Sequence, residues 1–249
     1  MEYKDIINTI QLGDCKQLLP YILKKLDRNK VIFVSDPPFN VGYHYNNYKD
    51  NLSEEDYYEV LKNIFGEDKC VLIHYPEQLY KISSKISKFP NKVISWVYNS
   101  NTAKQHRDIA FFGVEPNMEK VRQPYKNIKD KRIQERIKNG IEGGRLYDWW
   151  EINQVKNISS DKTSHPCQMP IKVMKNIIGI LPDDVIIIDP FCGSGTTCLA
   201  VKIMNEEQKT NRKYIGIEID PLYYKIAIDR LNGINENGQT SIFTDFDNL

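Results

Sequence analysis

The sequence predicts an α/β protein built on one mostly parallel sheet, and three observations carry that expectation. Val31-Ile32-Phe33-Val34 and Val185-Ile186-Ile187-Ile188 are short, β-branched, near-continuous apolar runs, the pattern of strands buried on both faces. Each runs into an acid followed by proline, Asp36-Pro37-Pro38 and Asp189-Pro190. Proline cannot donate to a ladder, so each strand stops there, and its acid is left at the carboxyl end, where open α/β sheets place ligands. Third, segments of helical period alternate with the strands. Alone, Asp36 could equally be an exposed acid beside a proline stop.

The chain has 249 residues, enough for one large α/β domain or a core with an inserted lobe. It is 41% hydrophobic and 27% charged, ordinary for a globular protein. No apolar run reaches the length of a membrane span and the N-terminus has no signal-peptide pattern, so no membrane partner is expected. Cys15, Cys70, Cys167, Cys192 and Cys198 form no CxxC pair. Neither a metal site nor a disulfide framework is expected, and a reducing cytoplasmic setting fits. The net charge of +1 gives no global nucleic-acid signal, so such a partner needs a local basic patch.

In chain order, a short segment ends at Gly13-Asp14, with Asp14 as N-cap of a helix carrying Leu18, Leu19, Ile22, Leu23 and Leu26. After Asp36-Pro37-Pro38-Phe39, residues 41–50 are rich in tyrosine and asparagine, lack any period and read as a loop. Ser53 caps a helix with Glu54, Glu55 and Asp56 in its first turn, favourable at the positive end of the dipole, and Gly66 ends it. A strand at 70–74, a helix at about 76–88 and an alternating strand at 92–98 follow.

From 99 to 162 the apolar period weakens while charge and aromatics rise. Lys104, Arg107, Lys120, Arg122, Lys126, Lys129, Lys131, Arg132, Arg136, Lys138 and Arg145 interleave with Phe111, Phe112, Tyr125, Tyr147, Trp149 and Trp150. A basic helix is expected at 126–138. A charge run is ordinarily a solvated face, but basic residues interleaved with aromatics over a whole lobe also fit a nucleic-acid surface. The remainder is again α/β. It has a helix at 169–180 with Pro170 at its start, the strand ending in Asp189, and a helix from Thr196 to about 204. A strand at 213–220 containing Glu218 and a helix at 221–231 follow, then a polar tail.

Strand, Asp189, Gly193-x-Gly195 and helix make a nucleotide-type turn, because glycines admit a ligand close to the backbone. The spacing is not G-x-G-x-x-G and no Walker lysine follows, so a dinucleotide or triphosphate is poorly served. An acid ending the next strand, Glu218, suits ribose hydroxyls, and Asp189 suits a cation.

These features together resemble the amino-methylating (adenine-N6 or cytosine-N4) DNA methyltransferases of restriction–modification type. Asp189-Pro190-Phe191-Cys192-Gly193-Ser194-Gly195-Thr196 is similar to their cofactor motif, Asp36-Pro37-Pro38-Phe39 to their D-P-P-[YF] catalytic motif, and Ser164-His165-Pro166-Cys167-Gln168-Met169-Pro170 to their H-P-x-x-x-P segment. With the catalytic motif first and a basic lobe between, the order resembles the circularly permuted β group. The resemblance implies a Rossmann-like, S-adenosylmethionine-dependent methyltransferase fold. It divides the chain into a catalytic half at 1–98, a target-recognition lobe at 99–162, a cofactor-binding half at 163–232 and a tail at 233–249. It implies Asp36, Pro37, Pro38 and Phe39 as catalytic, with Phe39 stacking on a flipped base. Asp14, His165, Asp189, Phe191, Gly193, Gly195, Thr196 and Glu218 are implied as cofactor-binding: ammonium at Asp189, ribose at Glu218, adenine near Asp14. Double-stranded DNA is the implied partner, with a cognate restriction endonuclease and a homodimer as further candidates. Aspartate rather than serine at 36 favours adenine over cytosine in this family.

Other readings compete. Pro166-Cys167-Gln168 spells the P-C-Q core of cytosine-C5 methyltransferases, but that chemistry leaves Asp36-Pro37-Pro38-Phe39 without a role, and Cys167 precedes the cofactor strand. A small-molecule or protein amide methyltransferase shares the D-P-P-[YF] pattern but has no use for a basic aromatic lobe. A non-catalytic DNA-binding module would not need Asp36, Asp189 and Glu218. Gln239-Thr240-Ser241-Ile242-Phe243 resembles a sliding-clamp peptide, against the plainer reading of a loose polar tail.

Overall fold

The structure, a computed structural model, describes residues 2–45, 47–156 and 162–234. The Gln239–Phe243 segment therefore lies outside the described residues. The N-terminal part contains α1 (Tyr3–Ile6), β1 (Thr9–Leu12), α2 (Cys15–Leu23), β2 (Val31–Ser35), α3 (Glu54–Phe65), β3 (Lys69–His74) and α4 (Pro76–Ile86). The middle contains β4 (Lys92–Val97), β5 (His106–Phe112), β6 (Arg122–Gln123), α5 (Lys131–Lys138), β7 (Gly144–Arg145) and β8 (Trp149–Glu151). The last third contains α6 (Ile171–Ile180), β9 (Ile186–Asp189), α7 (Thr196–Gln208), β10 (Lys213–Glu218) and α8 (Pro221–Leu231).

Eight strands form one sheet in the order β1-β10-β9-β2-β3-β5-β4-β8. Every pairing is parallel except those of β5, which runs antiparallel to β3 and β4. The two acid-ended strands lie side by side at the centre, with Phe33 opposite Ile188. From this pair the connections lead outward in both directions, so β2 and β9 flank a topological switch point, the ligand crevice of open α/β sheets. Both faces are covered. Along β2, Ile32 and Val34 join one buried cluster with α6 and α7, while Val31 and Phe33 join the other with α2, α3 and α4. Each such side chain contributes roughly 1.5–3 kcal/mol by leaving water, which is why these runs carry no polar face.

The caps follow local chemistry. Asp14, Ser53 and Asp220 accept backbone N–H bonds at the starts of α2, α3 and α8. The Gly66 backbone N–H closes α3 on the Lys62 carbonyl.

Two segments sit differently from their grouping by sequence. β1, counted with the catalytic half, pairs with β10 at the far edge of the sheet. Residues 99–162 are not wholly outside the sheet: β5 is a core strand, with Ile109, Ala110, Phe111 and Phe112 buried, and β8 extends the sheet beyond β4. The polar His106-Arg107-Asp108 start of β5 broke its apolar run and hid it. The basic helix is shorter than expected, Lys131–Lys138, because Asp130 caps it by accepting from the Arg132 N–H. Its Lys131, Arg132, Arg136 and Lys138 are exposed.

Candidate active site and cofactor cavity

The carboxyl ends of β2, β9 and β10 open into a cavity of ≈ 330 Å³. Asp14, Asp36, Pro37, Pro38, Phe39, His165, Asp189, Phe191, Gly193, Thr196 and Glu218 all line it. Gly195 does not. Its φ of +76° turns the backbone, and a Cβ there would lie 2.9 Å from the Ala227 Cβ. Gly195 thus serves close packing of the turn on α8, with no contact to the cavity.

The cofactor side is held together by its acids. Glu218 accepts the Gly193 N–H through Oε2 and the Asp220 N–H through Oε1, each at 2.8 Å. Gly193 has φ +50°, and a Cβ there would lie 2.8 Å from His165 Nε2, so only glycine fits between the turn and the histidine. His165 packs edge-on against Tyr223, with ring centroids 4.4 Å apart. Burial lowers its pKa to about 4, so it is neutral at physiological pH, and its Nδ1 is buried without a partner. Asp189 is buried and accepts from Ser35 Oγ at 3.0 Å, the Phe191 N–H at 3.1 Å and Thr197 Oγ1. Burial raises its pKa to about 6 despite those bonds. Arg230 fastens the turn from α8 by donating to the Ser194 carbonyl at 2.7 Å and to Thr196 Oγ1 at 3.0 Å.

On the catalytic side, Asp36 accepts from Arg107 Nη1 through Oδ2 at 3.3 Å, while its Oδ1 is buried without a partner. Burial raises the Asp36 pKa to about 6, against the lowering pull of Arg107. The Pro37-Pro38-Phe39 turn is braced from inside. The Tyr75 N–H donates to His74 Nδ1 at 2.8 Å, so Nε2 carries the proton and faces the Tyr57 hydroxyl at 2.9 Å. Tyr57 in turn donates to the Pro38 carbonyl at 2.9 Å. Burial lowers the His74 pKa to about 3, keeping it neutral in this chain. His74 also lies nearly parallel to Phe39, with ring centroids 4.0 Å apart. The loop at 41–50 is pinned by Asp50, which accepts the N–H groups of Asn40, Val41 and Tyr43. Asn47 of this loop donates to Asp220 at 3.0 Å, tying it to the cofactor side.

His74, Tyr57, Asp50 and Asp220 carry no site role in the sequence reading, and Arg107, expected on the basic nucleic-acid surface, instead sits at the catalytic aspartate. Most of their partners are distant in the chain, Asp50 binds within a loop that has no period, and Asp220 stands beside Glu218 at a strand end. Cys167 lines the cavity, but burial pushes its thiol pKa up, opposite to what a nucleophilic cysteine needs. Among the described residues no group of His, Cys, Asp and Glu could hold a metal ion, and no helix is long and apolar enough to cross a membrane.

A model of the DNA methylase family, N6_N4_Mtase, matches residues 31–229. The chain belongs to this family. The Type II methyltransferase M.HpaI of Haemophilus parainfluenzae is 29% identical over 245 residues, spanning 88% of this chain and 74% of that protein. The DNA adenine methyltransferase YhdJ of Escherichia coli K12 is 27% identical over 246 residues, spanning 84% and 79%. Among solved structures, the M1.HpyAVI–SAM complex aligns with a TM-score of 0.57 at 20% identity, covering 90% of this chain and 99% of that one. The cytosine-N4-specific PvuII DNA methyltransferase aligns with a TM-score of 0.57 at 17% identity, covering 96% and 90%. The architecture is thus a Rossmann-like methyltransferase fold.

A DNA methylase of this family uses S-adenosylmethionine, and the cavity suits it. Asp14, Asp36, Asp50, Asp189, Glu218 and Asp220 face only Lys16 and Arg107 among its lining residues, a balance that favours a cationic ligand over a phosphate. The Gly193 turn offers close backbone approach without a phosphate-binding lysine.

Proposed function

We propose that this DNA methylase transfers a methyl group to the N6 amine of a flipped adenine in duplex DNA, with Asp36 as the acceptor that prepares the amine. The observation that carries the reading is the buried, unpartnered Oδ1 of Asp36 at a cavity wall. A buried acceptor without a donor costs about 1–3 kcal/mol, so it is retained where a substrate brings the donor.

S-adenosylmethionine supplies, when bound, an electrophilic sulfonium methyl. The residues of the chain prepare the other reactant. An exocyclic amine is a weak nucleophile because its lone pair is delocalised into the ring. Asp36 and the Pro37 carbonyl would accept its two N–H bonds, drawing the nitrogen toward sp³ geometry and localising the lone pair. Phe39 offers the stacking face, and the His74–Tyr57–Pro38 chain fixes the turn that carries both groups. Transfer of the methyl, with its bond to sulfur broken and a neutral thioether departing, would leave the amine cationic, and Asp36 is placed to receive the N–H proton it then sheds. The protein's contribution is positioning together with electrostatic support for the developing charge. A base inside a duplex cannot reach this cavity, so flipping is required.

Adenine is favoured by aspartate at 36, where the cytosine-N4 enzymes of the family usually carry serine, and by the adenine-specific relative. The cytosine-N4 alternative is kept by the PvuII likeness. Residues 114–156 are proposed to form the DNA-facing lobe. Lys126, Lys129, Lys131, Arg132, Arg136, Lys138 and Arg145 are exposed there, and the Lys126 ammonium lies 5.1 Å from the Tyr147 ring centroid and 5.6 Å from that of the exposed Trp149. Roles in binding for Asp14, His165, Asp189, Phe191, Gly193, Thr196 and Glu218 are proposed on the cavity lining. The kinship with a Type II methyltransferase makes a partner endonuclease a candidate.

Two results follow. DNA affinity falls steeply with salt: if about five lobe cations meet phosphates, it drops about 500-fold between roughly 50 and 200 mM salt, and a flat response in a filter-binding titration contradicts the lobe assignment. Transfer also has an acid limb. Only the ionised Asp36 offers both oxygens as acceptors and can take up the departing proton, so kcat/KM for DNA at saturating cofactor falls about tenfold per pH unit below about 6, where Asp36 of the DNA-free protein becomes protonated. Asp189 lies nearby with a pKa also raised to about 6, so the limb belongs to both carboxyls. A rate that stays level down to pH 4.5 contradicts the role of Asp36. The function itself is tested by single-molecule sequencing of DNA from a methylation-free host expressing the protein. N6-methyladenine in a defined sequence context supports the reading, and unmodified DNA overturns it.

A further inference from the structure

We infer that the Arg107 guanidinium occupies the slot of the flipped target base in the DNA-free protein and must swing out before a base can enter. The inference rests on the amine-methylation reading above, since it names the group that the base displaces.

Arg107 makes the two contacts that the reading assigns to the base. Its Nη1 donates to the Asp36 carboxylate, through Oδ2 at 3.3 Å, the same group whose free Oδ1 would accept the exocyclic amine. Its Cζ lies over the Phe39 ring, 4.7 Å from the centroid, where the base would stack. A guanidinium is planar with N–H donors at its edge, so it imitates both features of an amino-bearing base. The cavity side of Phe39 is the contested one. His74, fully buried and not part of the cavity lining, backs the ring from the interior, whereas Arg107 lines the cavity itself.

The arrangement is also incompletely satisfied. Arg107 Nε and Asp36 Oδ1 are both buried without partners. A settled Arg–carboxylate pair would use two parallel bonds; here one is made, and a donor and an acceptor are left over. Base entry supplies the donor for Oδ1, and departure of Arg107 relieves Nε.

Charge gives the reason for departure. The attacking amine becomes cationic as the new bond forms, and the leaving sulfonium group starts as a cation. A guanidinium that stayed on Asp36 would repel both and would hold one of its two acceptor oxygens. Arg107 is the second residue of β5, just after the exposed segment 101–105 that leads into the strand, so an outward rotamer faces solvent, while the rings of Trp96, Tyr75 and Tyr98 flank it in the closed position at 5.4, 5.9 and 5.9 Å from Cζ. The Arg107 backbone stays paired with Trp96 of β4, so only side-chain torsions need change. In the closed position Arg107 holds Asp36 toward its ionised form and keeps the slot filled, which limits idle reaction with water or free nucleosides.

The test is equilibrium binding of 2′-deoxyadenosine, and in parallel 2′-deoxycytidine, to protein saturated with S-adenosylhomocysteine. Arg107→Ala empties the slot and is expected to bind at least one nucleoside tenfold or more tightly than wild type, with millimolar methylguanidinium reversing the gain. Equal or weaker binding by Arg107→Ala overturns the inference, because a base contact or a structural support would give that sign. Should Arg107→Ala fail to bind S-adenosylhomocysteine, Arg107→Lys takes its place. It keeps the charge but not the planar stack, and tightening of threefold or more is then expected, with equal or weaker binding again overturning the inference. Labelled methyl transfer from S-adenosylmethionine to DNA by the wild-type protein decides the underlying reading separately.

Discussion

Asp36→Ala lowers methyl transfer to DNA by about 10²–10³-fold or more, the scale of losing a preorganised electrostatic group at the reacting centre. Cofactor affinity changes little, because the Asp189 and Glu218 bonds that shape the turn do not involve Asp36. The substitution leaves Arg107 buried without its carboxylate, so some loss of stability accompanies it. Asp36→Asn keeps the volume and separates the two effects. Its amide offers one acceptor where the carboxylate offers two, and its transfer rate is expected to fall similarly while its melting temperature stays closer to wild type. Radiolabel transfer and cofactor titration on the same preparations read both outcomes. Joint loss of cofactor binding and transfer would assign Asp36 a structural role instead.

The second large effect is expected at Glu218. Its two carboxylate oxygens each accept one backbone N–H, from Gly193 and from Asp220. Glutamine has one acceptor oxygen and one NH₂ group, so one of those buried donors would face another donor. Leaving a buried donor unpaired costs about 1–3 kcal/mol, and here the cost loosens the Gly193 turn and the Asp220 cap together. Glu218→Gln is therefore expected to weaken S-adenosylmethionine binding about 10- to 100-fold by calorimetry. The rate at saturating cofactor is largely restored, since the catalytic turn is braced from the other side by His74 and Tyr57. An unchanged dissociation constant would remove Glu218 from the cofactor site.

The central pair of strands was legible because burial on both faces demands an unbroken apolar run, and proline marks its end. That local logic placed Asp36 and Asp189, and the strand after α7 placed Glu218. Gly193 and Gly195 looked alike in sequence. Only the packing separated them, one against His165 at the cavity and the other against Ala227 in α8. β5 has no strand signature in sequence because its first three residues are polar, and its apolar half resembles stray aromatics in a charged lobe. Arg107 was hidden for the same reason: its partner Asp36 is 71 residues away, and nothing in its neighbourhood announces a carboxylate. His74 read as the last residue of a strand. Its bond to Tyr57 and its stack on Phe39 are tertiary facts with no local signature.

The most direct test of the central claim is methyl transfer in vitro. Purified protein is incubated with labelled S-adenosylmethionine and unmethylated duplex DNA, and the DNA is digested to nucleosides for mass analysis. Label in N6-methyldeoxyadenosine, lost with Asp36→Ala, is the predicted result. Label confined to cytosine, or no label in DNA from a protein with Asp36 intact, would contradict the account.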